Sequence, residues 1–175
     1  MVPGDSTVPE LVFSLGSNVD AHRHIRLAVA RLRAEFGALQ CSSVYQSSAV
    51  GFQGEDFLNL VTLASSNLSL DAILKTVKKI EEEFGRERGV PRFSPRTIDI
   101  DVLLFGIQDG KDCAIDLPRD EITKHAFVLQ PLAELLPDNV HPQTGSSYSA
   151  MWEEFDDPSQ ELAVIEFDWS GIGEN

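Results

Sequence analysis

Two carboxylates invite a chemical reading first. Asp99 and Asp101 stand at i and i+2 within residues 97–105, a run whose alternation predicts a β-strand. Alternate residues of a strand share a face, so the two acids project side by side, ~7 Å apart along the chain. Ile98, Ile100, Val102 and Leu104 are expected to fill the opposite face. Adjacent carboxylates repel unless a cation lies between them. Mg²⁺ suits such a pair, because it takes one or two carboxylates and completes its shell with substrate phosphates. The plainer reading is a polar strand face that pairs with nearby arginines. What favours the metal is the segment just upstream.

That segment concentrates cations. Residues 75–96 hold Lys75, Lys78, Lys79, Arg86, Arg88, Arg92 and Arg96, half of the 14 basic residues of the chain. The lysines read as the solvated face of a helix, neutralised by Glu81, Glu82, Glu83 and Glu87. Arg88, Arg92 and Arg96 fall in a Pro-broken loop that gains nothing obvious from three guanidinium groups, whose planar forks match phosphate oxygens. Phe57 and Asn59, again at i and i+2, pair an aromatic with an amide. Stacking plus paired donor and acceptor is how a flat heterocycle is read, although a core Phe beside a surface Asn has the same spelling.

The elements that must hold these residues follow from periodicity. Residues 11–15 read as a buried strand ending at Gly16, and Asn18 or Asp20 is available to cap the next helix. Ile25, Val29, Leu32 and Phe36 recur at helical spacing up to Gly37. Residues 41–47 and 56–65 read as strands. Ser69 caps a second helix with the stripe Ile73, Leu74, Val77, Ile80 and Phe84, ended by Gly85. The order through residue 105 is β-α-β-β-α-β, which predicts an α+β ferredoxin-like antiparallel sandwich with both helices on one face. A helix over residues 127–136 and a C-terminal extension carrying Trp152, Phe155, Leu162, Val164, Ile165 and Phe167 follow.

Composition narrows the partners. Among 175 residues, 14 Lys and Arg against 28 Asp and Glu give a net charge of −14, the reverse of a general nucleic-acid binder and a poor match to an anionic membrane. No run approaches the ~18 apolar residues of a membrane span. Residues 1–9 lack the charged start and apolar core of a secretory leader, so a cytoplasmic setting is expected. Cys41 and Cys113 form no metal or disulfide pattern and read as small buried hydrophobes. The domain expectation is a flexible start over 1–9, one domain over 10–168 and a flexible tail over 169–175.

Three segments carry a resemblance: Leu15-Gly16-Ser17-Asn18, Gly85-Arg86-x-Arg88 and, most specifically, the run from Pro95-Arg96-Thr97 through Asp99-Ile100-Asp101 to Phe105-Gly106. With Phe57-Leu58-Asn59 and Phe127-Val128-Leu129-x-Pro131-Leu132 in matching order, residues 10–142 resemble the 6-hydroxymethyl-7,8-dihydropterin pyrophosphokinases of folate biosynthesis. The resemblance implies the same ferredoxin-like sandwich. It implies an ATP-dependent diphosphokinase that passes pyrophosphate to the pterin and releases AMP, acting on small molecules as a monomer.

By the same resemblance, Asp99 and Asp101 would hold two Mg²⁺ bridging ATP. Arg86, Arg88, Arg92 and Arg96 would form a catalytic loop and phosphate clamp, with Glu81 as a nucleotide contact. Ser47, Val50, Phe57, Asn59 and Phe127 would line the pterin slot. The chain departs from the family pattern in places. Ser47-Ser48-Ala49 replaces Thr-x-Pro, Phe93 takes the place of an aromatic that is commonly Trp, Arg119 replaces a His, and His125 replaces an Arg. Arg119 and His125 both keep cationic character at the phosphate side. The altered Ser47-Ser48-Ala49 loop leaves open a non-catalytic pterin- or nucleotide-binding domain. The paired aspartates leave open a metal-dependent phosphohydrolase or nucleotidyltransferase.

Overall fold

The computed structural model describes residues 7–48, 54–85, 97–106 and 115–172. The elements run β1 Glu10–Ser17, α1 Ala21–Phe36, β2 Gln40–Cys41, β3 Val44–Ser47, β4 Phe57–Ser65, α2 Leu70–Glu83 and β5 Asp99–Phe105. Then follow α3 Glu121–Lys124, α4 Ala126–Leu135, α5 Tyr148–Glu154 and β6 Leu162–Ile165. The strands form one antiparallel sheet in the order β5-β1-β4-β3-β6, with β2 also paired to β4. The expected strand over 41–47 is thus split into β2 and β3. Ser42 lies at the break: its backbone N–H donates to Val61 O at 2.9 Å, and its hydroxyl accepts from Val61 N.

β1 sits inside the sheet and is buried on both faces, which is why it reads as a continuous apolar run. Leu11, Phe13 and Leu15 face α1 and α2, meeting Ile25, Val29, Leu32, Ile73, Val77 and Ile80 in one cluster. Ser69 caps α2 by accepting from Ala72 N at 3.2 Å, as its residue type and position predict. α1 starts differently from expectation. Asp20 occupies the cap position with φ 44° and makes no side-chain cap bond. Asn18 instead donates its amide N–H to Glu55 O at 3.3 Å.

The second sheet face is covered too, so the layering goes beyond two helices on one face. Val12, Val61 and Leu103 pack with Val128, Leu129 and Leu132 of α4 and with Tyr148 of α5. Burial pushes the Tyr148 phenol up to about 12. Burial, followed by a hydrogen bond to the Glu134 carboxylate, raises the Tyr45 phenol as well.

One prediction along β5 fails for a physical reason. Phe13 pairs with Val102, but its neighbour Val12 pairs with Leu104, so the register shifts by one at Leu103. Such a bulge reverses the alternation beyond it. Leu103 and Leu104 therefore belong to the α4 side, and Phe105 rather than Leu104 joins Ile100 and Val102. The C-terminal tail also differs from expectation: Trp169 and Ile172 pack against the α1/α2 cluster, and Arg26 donates to Asp168 O at 3.0 Å. Cys41 is half-buried, and Cys113 lies outside the described residues. Among the described residues, no helix is long and apolar enough to cross a membrane.

Candidate functional site

Strand register brings the sequence candidates into one row. Asp99 lies opposite Gly16, Gly16 opposite Asn59, and Asn59 opposite Tyr45. Directly opposed residues of antiparallel strands share a face, so Asp99, Gly16 and Asn59 line up across β5, β1 and β4. The next row pairs Asp101 with Ser14 and Ser14 with Val61. Both rows lie on the α4 side. The paired carboxylates and the amide–aromatic pair, separated by some forty residues of chain, therefore share one surface with a single strand between them.

Gly16 is what keeps that strand low. A Cβ on Gly16 would stand 3.2 Å from Asn59 Oδ1 and 4.0 Å from Phe57 Cδ1. The absent side chain leaves a shallow cradle between the acids and Asn59. Asn59 is 3% exposed and donates its amide N–H to Ser47 Oγ at 2.9 Å. That bond leaves the amide oxygen pointing toward Gly16. At the end of β1, Ser17 Oγ donates to Thr97 O, linking the start of β5 to the Gly16 turn.

Cationic and aromatic groups flank the row. Arg119 Nη2 lies 3.7 Å from Asp101 Oδ1. The same guanidinium is held by both Glu121 oxygens, at 3.2 and 3.1 Å, and its backbone N–H donates to Leu103 O at 3.1 Å. Next to this pair, the Lys124 ammonium, with smaller help from a Glu121 hydrogen bond and the Arg119 charge, holds the Asp120 carboxyl below the usual range. His125 stacks on Phe127 with ring centroids 4.9 Å apart and planes within 17°. Phe127 packs on the Val12/Val61 cluster, on the same sheet face as Asn59.

Glu81 sits elsewhere. It is 4% exposed, turned inward from the last turn of α2, and accepts a hydrogen bond from Ile100 N at 2.9 Å. Ser47, Phe57, Asn59, Asp99, Asp101, Arg119, His125 and Phe127 are thus on the α4 side of the sheet or at its border, and Glu81 is not. Arg86, Arg88, Arg92, Arg96 and Val50 lie outside the described residues. Sequence reasoning missed the part of Gly16 and the grip of Glu121 on Arg119. A glycine interrupting the apolar run of β1 was the available signal for the first. For the second there was none, since an acid two residues after an arginine has no special spacing.

The donor set fits a hard divalent cation. Two carboxylates on neighbouring same-face positions supply oxygen ligands, and Asp101 keeps 42% of its side chain exposed, so access remains open. Among the described residues, no group of three or more His, Cys, Asp or Glu gathers into a closed cage.

Fold and site together define a small α/β protein with an antiparallel sheet and an acidic, arginine-flanked site on one sheet face. The family model of 7,8-dihydro-6-hydroxymethylpterin-pyrophosphokinase (HPPK) matches residues 12–137, and the chain belongs to that family. A 2-amino-4-hydroxy-6-hydroxymethyldihydropteridine pyrophosphokinase from Aquifex aeolicus is 35% identical over 130 residues, which are 73% of this chain and 81% of that protein. The protein of the same name from Synechocystis sp. is 32% identical over 148 residues, 83% of this chain and 75% of that one. Among solved structures, Plasmodium falciparum HPPK-DHPS with pterin and p-hydroxybenzoate superposes with a TM-score of 0.68. The match covers 87% of this chain and 44% of that larger chain, and at 14% identity the likeness is one of fold.

Proposed function

We propose that this protein is the pyrophosphokinase of folate biosynthesis, transferring the β,γ-pyrophosphoryl unit of ATP to the hydroxymethyl oxygen of 6-hydroxymethyl-7,8-dihydropterin. The pterin oxygen bonds to the β-phosphorus, the bond from that phosphorus to the α-bridging oxygen breaks, and AMP leaves with that oxygen. The hydroxyl proton passes to solvent. The observation that carries this reading is the row Asp99–Gly16–Asn59, which sets a carboxylate pair one strand away from an amide and an aromatic.

In this reading Asn59 reads the edge of the pterin, with its oxygen free of the Ser47 bond, and Phe57 and Phe127 supply flat apolar walls. Ser47 and Val50 complete the slot. Asp99 and Asp101 would hold Mg²⁺, two ions in this reading, and bound Mg²⁺ would supply neutralisation of charge on the transferring group. Arg119, fixed by Glu121, stands beside Asp101 to meet phosphate oxygen. Arg86, Arg88, Arg92 and Arg96 complete the clamp, and His125 adds a further cation when protonated. Most of the acceleration comes from holding the two substrates in line and from fixed charge around the phosphates.

With β2 and β3 counted as two parts of one strand along β4, the element order through residue 105 reduces to β-α-β-β-α-β. With the strand order β5-β1-β4-β3 this supports the ferredoxin-like description, α3 to β6 being its extension. A monomer in the cytoplasm accompanies this reading, with a single domain from residue 10 that takes in the packed Trp169 and Ile172 beyond the expected bound at 168. Product analysis tests the whole reading. ATP, Mg²⁺ and hydroxymethyl-dihydropterin should yield AMP and the pterin diphosphate in equal amounts. Inorganic phosphate would instead identify a hydrolase, a nucleotide left on the acceptor a nucleotidyltransferase, and no turnover a binding domain.

A further inference from the structure

Glu81 is a carboxylate in a position where helices carry apolar residues. It follows Ile80 in the buried stripe of α2, is 4% exposed, and reaches across to the backbone of β5. Its Oε1 accepts from Ile100 N at 2.9 Å. Ile100 is the residue between Asp99 and Asp101. In an antiparallel pair, the amides of successive residues point alternately toward and away from the partner strand. The Ile100 amide, spent on Glu81, therefore points away from β1, and those of Asp99 and Asp101 point toward it. Among the described residues, β5 pairs with β1 alone, so that outward amide lies on an edge of the sheet. Ile100 is itself 3% exposed, so water is a poor substitute acceptor there.

We infer that Glu81 is a positioning residue: its carboxylate stands in for a missing neighbour strand and fixes the backbone between the two aspartates. The link is short and directional. A charge-assisted hydrogen bond to a buried amide holds the peptide plane of Ile100, and that plane sets how the flanking Asp99 and Asp101 side chains leave the strand. α2 thereby braces the carboxylate pair from the opposite sheet face, without touching what the pair binds. The consequence for turnover rests on the pyrophosphokinase reading; the bracing itself does not.

Two variants separate an acceptor from a charge. Glu81→Gln keeps an oxygen of the same reach and removes the charge, whereas Glu81→Met keeps the length and removes the acceptor. Amide exchange followed by NMR on the full chain should show Ile100 N–H protected in the wild type and in E81Q, and about tenfold or more faster in E81M. Mn²⁺ binding followed by electron paramagnetic resonance should be near wild type in E81Q and weakened roughly fivefold or more in E81M, a split that loss of stability alone does not produce. Equal weakening in both variants would overturn the inference in favour of a charge effect. Unchanged exchange and unchanged Mn²⁺ affinity in E81M would overturn it outright. If E81M does not fold, the wild type decides alone: an Ile100 amide exchanging like a solvent-facing one refutes the brace, and a protected one supports it. Neither readout needs turnover, so absence of pterin diphosphate would count against the proposed reaction and leave the brace standing.

Discussion

Along β1 the side chains go to two different destinations. Leu11, Phe13 and Leu15 all end in the cluster beneath α1 and α2. Val12, Ser14 and Gly16, on the other face, change from a branched hydrocarbon to a hydroxyl to no side chain at all. The first face is apolar through Leu15, with Ser17 closing it at the end of the strand. The second is closed by α4 and α5 around Val12 and Val61, and at its other end it carries Asp99, Asp101 and Asn59. One strand thus serves a core and a site together. The face that is packed throughout supplies the stability, and the face left polar at one end can present acids and an amide on a rigid background.

This contrast predicts that damage on the two faces separates. The largest effect belongs to the polar end. Asp99→Ala and Asp101→Ala should each lower kcat at least about 100-fold while Tm stays close to wild type, since relieved repulsion between the acids offsets lost contacts such as Asp101–Arg119. Turnover and thermal melts on the same samples check this, and near-normal rates at ordinary Mg²⁺ would sink the metal assignment. On the packed face, Leu32→Ala should cost about 2–5 kcal/mol of stability through lost burial and a cavity. Its kcat per folded molecule should stay within about twofold. A denaturant melt combined with active-site titration separates the two quantities, and a large loss of kcat would break the division between faces.

Gly16→Ala sharpens the comparison on the same strand. Its new Cβ would crowd Asn59 Oδ1 at 3.2 Å, so the pterin KM should rise about tenfold, equivalent to ~1.4 kcal/mol, with the ATP KM little changed. A shift confined to the ATP KM would contradict the slot. The smallest effect lies on the outer surface of the helix layer. Glu83 accepts from Arg31 Nε at 2.9 Å, and that bond holds the Glu83 carboxyl below the usual range. A carboxyl with a lowered folded pKa lends stability above its unfolded pKa and loses it as pH falls through the folded value. Wild type should therefore melt slightly above Glu83→Gln at neutral pH, and the gap should close on acidification. A gap that widens in acid would reverse the sign.

How much was legible depends on the range of the interactions. The helical stripe of α1, the Ser69 cap of α2 and the same-face placement of Asp99 and Asp101 follow from neighbours a few residues apart, and local periodicity records them faithfully. The recognisable Pro-Arg-Thr and Asp-x-Asp run added the chemistry. The rest depended on which chain segments meet. The bulge at Leu103 is set by the pairing of β5 with β1, and it turns Leu104 away from the face its alternation predicts. The inward turn of Glu81 reflects an edge amide nineteen residues away that needs an acceptor. Trp169 and Ile172 are packed because the α1/α2 cluster offers them a surface, not because their own sequence reads as ordered. The sequence by itself determined which residues could do chemistry and on which side of their own strand or helix they lie. Only the tertiary structure decided that Asn59 and Asp99 face the same way across Gly16, because pairing register is a contact between distant segments and leaves no periodic trace within either one.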